Sequence, residues 1–260
     1  MKVSIVTVCR NNAEGLKRTI ESVRIQTFRD FEFLITDGAS TDESINVIKK
    51  NADIVDSWVS ESDSGIYNAM NKTLPRCKGD YVIFMNAGDC FFDAEVLEKV
   101  FSHTTTSDVI YGDVNFNETQ YATQQIKTLQ DFFCKSPFCH QGVFTKLEKV
   151  KFLGFREEYE IVADWVMFTT LFMEGSTFEY IPYIIAQCEG GSASADAGTN
   201  NKERLRYFEN TYTKRIADDY SDLLHLKGGV LFRYYLRLEQ SKKLKYYVLK
   251  ILKLLHIKPA

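Results

Sequence analysis

The sequence predicts an α/β fold in which helices cover a central, mostly parallel sheet. Short apolar, β-rich runs alternate with segments of helical periodicity, and this alternation indicates βαβ units with right-handed crossovers. The 260 residues are 45% hydrophobic and 26% charged, which suffices for one large domain or for one domain with an appendage. Polar residues follow each apolar run, as expected where strands end at a ligand-binding rim.

The elements of the first half alternate regularly. Leu16, Ile20 and Val23 recur at helical spacing between the first two apolar runs. Residues 40–43, Ser-Thr-Asp-Glu, predict a capping box for the next helix, and a short helix is expected over 65–73. The predicted strands are 3–8, 31–36, 54–60, 81–85 and a fifth run that begins at Val109.

The second half is less regular. Residues 161–173 predict a helix and residues 178–186 a strand, whereas 190–198 is small and polar and predicts a loop. A charged helix is expected over 201–218. Gly228-Gly229 then precedes a terminal helix.

Four polar clusters follow the predicted strands, and we expect them on one rim of the sheet. They are Arg10-Asn11-Asn12, Asp37-Gly38, 61–63 and 86–89. An acid on this rim can hold a hard divalent cation, and the cation can hold a diphosphate. The pattern therefore indicates a nucleotide-linked substrate.

Several function classes lack support in the sequence. The net charge of −3 gives no nucleic-acid signature, and the six cysteines form no CxxC pair or zinc-type spacing. No GxGxxG follows the first strand and no GxxxxGK[ST] occurs, which argues against a dinucleotide fold and a P-loop phosphotransferase. The apolar run 3–8 is too short for a signal peptide or a membrane span, so a cytoplasmic location is expected.

Five ordered motifs and two later ones carry a family resemblance. Their sequences are Val3-Ser-Ile-Val-Thr7 with Arg10-Asn11; Thr19-Ile-Glu-Ser-Val23 with Gln26-Thr27; Asp37-Gly-Ala-Ser40-Thr-Asp42; Asp63-Ser-Gly-Ile-Tyr67-Asn-Ala-Met-Asn71; Gly79-Asp80 with Met85-Asn-Ala-Gly-Asp89; Phe138-Cys-His140-Gln141; and Val162-Ala-Asp164-Trp165. In this order they resemble the family-two inverting glycosyltransferases of the GT-A fold, of the bacterial type that builds surface polysaccharides. The last part of the chain is not explained by the resemblance.

The resemblance implies a GT-A, Rossmann-like nucleotide-binding domain over residues 1–200. Residues 1–115 would form the nucleotide-sugar half and 116–200 the acceptor half, with 201–260 as a basic, amphipathic helical extension. The donor-binding residues that it implies are Thr7, Arg10, Asp37, Asp63, Gly65, Asn71, Asn86 and Asp89.

Asp89 would coordinate Mg²⁺ or Mn²⁺ bound to the donor diphosphate. The metal motif of the family usually carries two acids, whereas this chain has Asn86-Ala-Gly-Asp89. One carboxylate can still hold the cation together with diphosphate oxygens and waters. We therefore expect weak metal affinity in the absence of donor.

On the acceptor side, the resemblance implies that Asp164 is the general base that takes the proton of the acceptor hydroxyl. His140, Gln141 and Trp165 would lie near the acceptor. Inversion is an in-line displacement, so the base and the metal acid must lie on opposite sides of the sugar.

Simpler interpretations of these residues remain open. Asp89 and Asp37 could each begin a turn, and Asp164 could be a solvated carboxylate on a helix. His140 could be a hydrogen-bonded core histidine and Trp165 a core residue.

The end of the chain is basic. From residue 241 onward there are six lysines and no acid, and Leu244, Val248, Ile251, Leu252 and Leu255 form an apolar stripe. Such a helix suits an anionic membrane surface, here the cytoplasmic face of the inner membrane. A core or dimer helix and a solvated basic tail are the alternatives.

The sequence thus predicts a metal-dependent inverting glycosyltransferase. It would move a sugar from a nucleotide-diphosphate sugar, with a UDP-sugar expected, to a glycan. The expected acceptor is a lipid-linked oligosaccharide of O-antigen, capsule or exopolysaccharide biosynthesis. Two rivals remain: a sugar nucleotidyltransferase, which would normally carry a Gly-rich phosphate loop after the first strand, and a catalytically inactive nucleotide-sugar-binding subunit.

Overall fold

The computed structural model describes residues 2–102, 106–116, 119–121, 126, 132, 139–188 and 197–228. The chain divides into two compact units, Met1–Arg204 and Leu205–Ala260. The domain boundaries expected from the sequence remain a prediction. The terminal helix and nearly all of the predicted loop over 190–198 lie outside the described residues.

The first half has the predicted βαβ order. Its elements are β1 (Val3–Cys9), α1 (Ala13–Arg24), β2 (Phe31–Asp37), α2 (Ser44–Lys50), β3 (Ser57–Ser60), α3 (Ile66–Thr73), a 3₁₀ turn (Leu74–Arg76) and β4 (Tyr81–Phe84). Every residue of β1 is buried, as a central parallel strand requires. On the α1 face, Leu16, Ile20 and Val23 are buried in the core together with Phe33 and Ile35 of β2.

The remaining elements combine short strands with helices. They are β5 (Cys90–Phe91), α4 (Val96–Phe101), β6 (Val109–Phe116), β7 (Thr119–Tyr121), a 3₁₀ turn (His140–Gly142), β8 (Val143–Lys146), α5 (Leu147–Leu153), α6 (Ala163–Met173), β9 (Phe178–Cys188), α7 (Ala197–Thr211) and α8 (Lys214–Gly228). None of the helices in the described part of the chain is long and apolar enough to cross a membrane.

The strands form one sheet in the order β3-β2-β1-β4-β8-β6-β9-β5, with β7 paired to β6. Strands β3, β2, β1 and β4 are parallel, whereas β8 is antiparallel to both β4 and β6. In register, Cys9 pairs with Asp37 and Asp37 with Ser60, so the predicted polar strand ends do share one rim. The predicted fold class is confirmed.

The insertion of β8 positions the second half of the site. Because β8 runs antiparallel to β4, the residues that precede β8 lie beside the residues that follow β4. His140 and Gln141 thereby reach the turn that carries Asn86 and Asp89. No local pattern in the sequence indicates this antiparallel pairing.

Two predicted helix boundaries are wrong. Helix α2 begins at Ser44, not after a capping box at residues 40–43, because Ser40 is bound elsewhere: its backbone N–H donates to Asp37 Oδ2 (2.9 Å) and its hydroxyl accepts from the Asn11 N–H (2.8 Å). The charged helix expected over 201–218 is two helices. The second begins after the Thr213 carbonyl, which accepts from the Ala217 N–H.

Within the second unit, aromatic residues form a small core of their own. Phe208 and Tyr220 are buried with ring centroids 4.4 Å apart. Tyr207 and Tyr212 stand edge to face at 5.8 Å, and their hydroxyls are 3.3 Å apart. Such ring pairs contribute about 0.5–1.5 kcal/mol each beyond the burial of their area.

Candidate active site

The rim at the ends of β1 and β2 holds a buried carboxylate. Asp37 is fully buried, and its Oδ2 accepts from the Ser40 N–H (2.9 Å) and from the Ser60 hydroxyl (2.6 Å). Its Oδ1 has no hydrogen-bond partner among the described residues. A buried oxygen without a partner is costly unless a ligand supplies a donor, so this atom is a candidate contact for a ligand.

Asp63 lies against the same rim. Its Oδ1 accepts from the Gly65 N–H (3.0 Å), and its Oδ2 occupies the space where a side chain at Gly38 would stand. The chain needs glycine at position 38 for this close approach. Gly65 itself is exposed, has φ +143° and precedes α3.

The two predicted donor residues at the end of β1 differ in placement. Thr7 is fully buried, and its hydroxyl donates to the Met85 carbonyl (2.7 Å), which ties β1 to the turn after β4. Arg10 is exposed. A direct donor contact of either residue remains a prediction.

Asn71 joins α3 to the segment that precedes α6. Its amide donates to the Phe155 carbonyl (2.8 Å) and to Glu157 Oε1 (2.9 Å), and its Oδ1 accepts from the Phe155 N–H (2.8 Å). These bonds occupy both ends of the Asn71 amide. A contact of Asn71 with the donor therefore stays a prediction. The structure shows that Asn71 holds α3 to Phe155 and Glu157.

The turn after β4 carries the predicted metal acid. Thr19 of α1 holds this turn, because its hydroxyl donates to the Asp89 carbonyl (2.7 Å) and accepts from the Gly88 N–H (3.0 Å). The Asp89 carboxyl is largely buried and accepts from Gln141 Nε2 (3.1 Å). Burial raises the pKa of Asp89, and nearby His140 and Gln141 offset only part of that rise.

His140 lies between Asn86 and Asp164 and contacts both. Its Nδ1 lies 3.0 Å from Asp164 Oδ2, and its Nε2 lies 3.1 Å from Asn86 Nδ2. Since a carboxylate only accepts, Nδ1 carries a proton. In the neutral ring Nε2 accepts from Asn86 Nδ2, whereas in the charged ring Nε2 donates and the Asn86 amide must turn its oxygen toward it. With the neutral ring, Asn86 Oδ1 is buried and has no partner among the described residues.

Asp164 lies at the start of α6 and receives three hydrogen bonds. Its Oδ2 binds His140, and its Oδ1 accepts from the Trp165 N–H (2.7 Å) and the Tyr67 hydroxyl (3.2 Å). Burial raises the pKa of Asp164, but the hydrogen bond and charge of His140 outweigh burial and lower the pKa below its ordinary value. The Asp164 side chain is 24% exposed to solvent, so a hydroxyl can still reach it.

The pKa of His140 shifts in the opposite direction. Burial lowers the pKa of its ring, but the hydrogen bond to Asp164 and the charges of Asp164 and Asp89 outweigh burial and raise it. Asp164 and His140 thus form a coupled pair that favours the charged form of each partner.

Tyr67 and Trp165 frame Asp164. The Tyr67 ring is buried against Phe155, and its hydroxyl also donates to the Ile161 carbonyl (2.8 Å). The Trp165 ring is 5% exposed, and Arg204 covers it at 4.7 Å. This burial fits the core interpretation of Trp165, and stacking on an acceptor sugar stays a prediction.

The oxygen donors at this site fit a divalent cation. In the described ranges, no group of three His, Cys, Asp or Glu side chains could hold a metal by itself. Asp89 would supply a hard oxygen ligand and the buried, unpartnered Asn86 Oδ1 a second one, with phosphate and water completing the ligands of Mg²⁺ or Mn²⁺. The site therefore suits a cation that arrives with a diphosphate.

Sequence reasoning underestimated Tyr67 and missed Glu203. Tyr67 lies inside a recognised motif, yet the motif does not reveal that its hydroxyl meets Asp164. Glu203 accepts three backbone N–H groups just before α6, and nothing in its sequence context marks it.

Together the fold and the site place buried carboxylates and amides at the carboxyl rim of an α/β sheet, which is where ligands bind in open α/β folds. The family model described as "Glycosyl transferase family 2" matches residues 4–168, more than half of the chain. The chain belongs to this family, and it has the GT-A fold. The resemblance seen in the sequence is thereby confirmed.

Three similarities add detail. The chain is 29% identical over 169 residues to a PGL/p-HBAD biosynthesis glycosyltransferase of Mycobacterium tuberculosis, covering 62% of this chain and 66% of that protein. The match thus spans just under two thirds of that relative.

Two solved structures resemble the fold. The structure of Staphylococcus aureus TarS residues 1–349 in complex with UDP-GlcNAc has a TM-score of 0.67, with 16% identity over 85% of this chain and 70% of that one. The mannosyltransferase PcManGT of Pyrobaculum calidifontis, in complex with GDP-Man and Mn²⁺, has a TM-score of 0.60, with 16% identity over 95% of this chain and 82% of that one.

Proposed function

We propose that this glycosyltransferase transfers a sugar with inversion from a UDP-sugar to a glycan hydroxyl. The observation that carries the proposal is the bridge between the two carboxylates. Adjacent residues His140 and Gln141 contact Asp164 and Asp89, respectively, so the two acids lie on either side of one short turn. An in-line displacement needs this division between a base and a leaving-group site.

Asp164 is the general base in this proposal. Its lowered pKa keeps it ionised at neutral pH, ready to accept the proton of the attacking hydroxyl. His140 and Tyr67 hold its two oxygens in place and leave part of the carboxylate exposed. General-base assistance contributes on the order of 10²- to 10⁴-fold to the rate.

Asp89, with Asn86 beside it, would hold Mg²⁺ or Mn²⁺ against the donor diphosphate. When bound, the cation neutralises the negative charge of the departing nucleotide. Gln141 orients the Asp89 carboxylate through its amide (3.1 Å). The pKa of Asp89 is raised, so at lower pH a cation must compete with a proton for this carboxylate. We therefore expect the metal concentration needed for half-maximal activity to rise as the pH falls.

A uridine nucleotide is the expected donor because Asp37 Oδ1 is a buried acceptor without a partner in the described structure. The imide N–H of uracil is a donor that this oxygen can bind. The UDP-GlcNAc complex of a protein with the same fold supports this choice. Arg10, Asp63 and Gly65 complete the proposed donor rim.

The acceptor is proposed to be a lipid-linked oligosaccharide of surface polysaccharide biosynthesis. The biosynthetic role named for the mycobacterial relative supports an acceptor of this general type. The basic, amphipathic sequence after residue 241 would bring the site to the cytoplasmic face of the inner membrane.

Nucleotide release by the purified chain tests this function. UDP-, GDP- and dTDP-sugars are offered with Mn²⁺ and again with a chelator, and we expect release from one UDP-sugar that the chelator abolishes. Asp89→Asn should lose this release, whereas the matched control Asp80→Asn, an exposed residue before β4, should keep it.

Two outcomes would contradict parts of the proposal. Release that persists in chelator would exclude the metal role. A protein that binds UDP-sugar in calorimetry but releases no nucleotide, with or without lipid-linked acceptor, would favour the inactive binding subunit.

A further inference from the structure

We infer that Glu203 is a positioning residue for Asp164, and that it acts through one backbone peptide and the Tyr67 hydroxyl. This inference rests on the proposed function, in which Asp164 is the base. The residue belongs to α7, outside every motif that carries the family resemblance. It deepens the account of the acceptor side by adding a group that touches no substrate.

Glu203 binds the turn just before the helix that carries the base. Its Oε1 accepts from the Glu160 N–H (2.9 Å), and its Oε2 accepts from the N–H groups of Ile161 (3.0 Å) and Val162 (3.1 Å). Three successive N–H groups that converge on one carboxylate form an anion-binding nest. The nest lies directly before Ala163, the first residue of α6.

This carboxylate is in an unusual environment. Glu203 is 8% exposed, and a carboxylate so deeply buried is costly unless it is well hydrogen-bonded. The three N–H groups offset that cost, because between them they bind both oxygens of the carboxylate. The arrangement therefore orders residues 160–162 rather than leaving them as a solvated turn.

One peptide unit links Glu203 to the base. The Ile161–Val162 peptide donates its N–H to Glu203 Oε2, and its carbonyl accepts from the Tyr67 hydroxyl (2.8 Å). The same hydroxyl lies 3.2 Å from Asp164 Oδ1. Glu203 thus fixes the Ile161 carbonyl, which competes with Asp164 for the single proton of the Tyr67 hydroxyl.

Arg204, the next residue of α7, also contacts α6. The Arg204 guanidinium lies 4.7 Å from the ring centre of Trp165, which follows Asp164 in α6. Arg204 and Trp165 are both buried. Two consecutive residues of α7 therefore contact the segment just before α6 and the first turn of α6, where Asp164 lies.

The position of the Ile161–Val162 peptide controls how Tyr67 binds Asp164. With the peptide held, Tyr67 shares its proton between Ile161 and Asp164, and Asp164 keeps an oxygen for the acceptor hydroxyl. With the peptide released, the hydroxyl can turn fully to Asp164 and the carboxylate can shift. Displacement of a reacting group by about 1 Å can cost on the order of 10²-fold in rate.

The test compares Glu203→Gln with Glu209→Gln in the full chain. Both remove one carboxylate charge from α7, but Glu209 is exposed. We expect Glu203→Gln to lower kcat for UDP-sugar turnover on the order of 10- to 10²-fold with unchanged UDP affinity in calorimetry. Glu203→Asp, which keeps both oxygens, should recover part of that loss.

Two further measurements separate positioning from general stability. Amide hydrogen exchange should accelerate at residues 160–162 in Glu203→Gln and not in Glu209→Gln. In a double-mutant cycle with Tyr67→Phe, the losses in kcat should be non-additive, because both changes interrupt the same chain of hydrogen bonds from Glu203 to Asp164.

The outcomes that overturn the inference are specific. Wild-type kcat in Glu203→Gln, unchanged exchange at 160–162, or additive losses with Tyr67→Phe would each do so. If wild type and Glu209→Gln both release no nucleotide, the proposed function fails, and hydrogen exchange alone then decides whether Glu203 holds the turn.

Discussion

Asp164 illustrates how single side chains acquire a function from their neighbours. A carboxylate at the second position of a helix is common and by itself indicates only a favourable interaction with the helix dipole. Here His140, Tyr67 and the Trp165 N–H all bind it, and the resulting pKa lies below the ordinary carboxyl value. These contacts support a base that is ionised and oriented before the acceptor arrives.

Replacing Asp164 by Asn tests the base directly. Asp164→Asn keeps the shape of the side chain but cannot accept the acceptor proton, so kcat should fall on the order of 10²- to 10⁴-fold. UDP affinity should be unchanged, because Asp164 lies on the acceptor side. Steady-state kinetics and calorimetry measure the two effects, with Asp80→Asn as the control. Unchanged kcat in Asp164→Asn would remove Asp164 from the mechanism.

The Asp164–His140 pair predicts a pH dependence of stability. The raised pKa of His140 adds stability that is fully present below its ordinary value of 6.5 and is lost as the pH rises through the folded-state pKa. The lowered pKa of Asp164 adds stability that is present above its ordinary value of 3.8 and is lost as the pH falls through the folded-state pKa.

The stability difference between wild type and His140→Gln should therefore peak between pH 3.8 and pH 6.5 and shrink on either side. Urea unfolding of both proteins across this window measures the difference in free energy of unfolding. A difference that does not vary with pH would show that the pair is not ionised in the folded protein.

At the scale of elements, α3 connects the two halves of the site. Tyr67 and Asn71 are one helical turn apart, so they share a face of α3. Tyr67 reaches α6, while Asn68 and Asn71 both bind the Glu157 carboxylate at 2.9 Å. Helix α3 thereby holds the segment that leads to Asp164, the proposed base.

Asn71→Ala should weaken this connection. The change leaves the Phe155 N–H and carbonyl without their partner, and we expect a loss of about 1–3 kcal/mol in the free energy of unfolding. The control is Asn46→Ala on α2, where the amide makes an exposed bond to Glu43 (2.9 Å). Urea unfolding compares the two variants. Equal losses in both would argue against a fastening role for Asn71.

At the scale of the whole molecule, the site draws on both the parallel and the antiparallel parts of the sheet. The parallel strands β1, β2 and β3 supply the rim that we propose binds the donor, and β8 brings the 3₁₀ turn of His140 and Gln141 alongside. The basic end of the chain has a separate expected role in locating the enzyme at a membrane.

Neutralising the lysines at the end of the chain should abolish membrane binding and leave catalysis intact. Substituting Gln for Lys242, Lys243, Lys245, Lys250, Lys253 and Lys258 should abolish co-sedimentation with anionic vesicles, because each lysine contributes about 1 kcal/mol near such a surface. Release of nucleotide from the UDP-sugar in solution should be unchanged. Co-sedimentation of this variant at the wild-type level would favour a core or dimer helix.

The sequence alone determined the α/β order and the polar rim. Both follow from local patterns: apolar runs and helical spacing read off a short window, and the carboxyl ends of parallel strands necessarily share one edge. Asp37 and Asp89 were predicted to lie on that edge, and they do. Boundaries such as the start of α2 were missed because Ser40 binds the ends of two strands instead of capping a helix.

Tertiary structure alone decided which side chains meet at Asp164. His140 reaches Asp164 only because β8 runs antiparallel to β4, and Tyr67 reaches it from a helix 97 residues away along the chain. The nest around Glu203 joins residues 41 to 43 positions apart. Such contacts depend on how elements pack, which no local pattern encodes, and they orient the Asp164 carboxylate for the role of base that we propose.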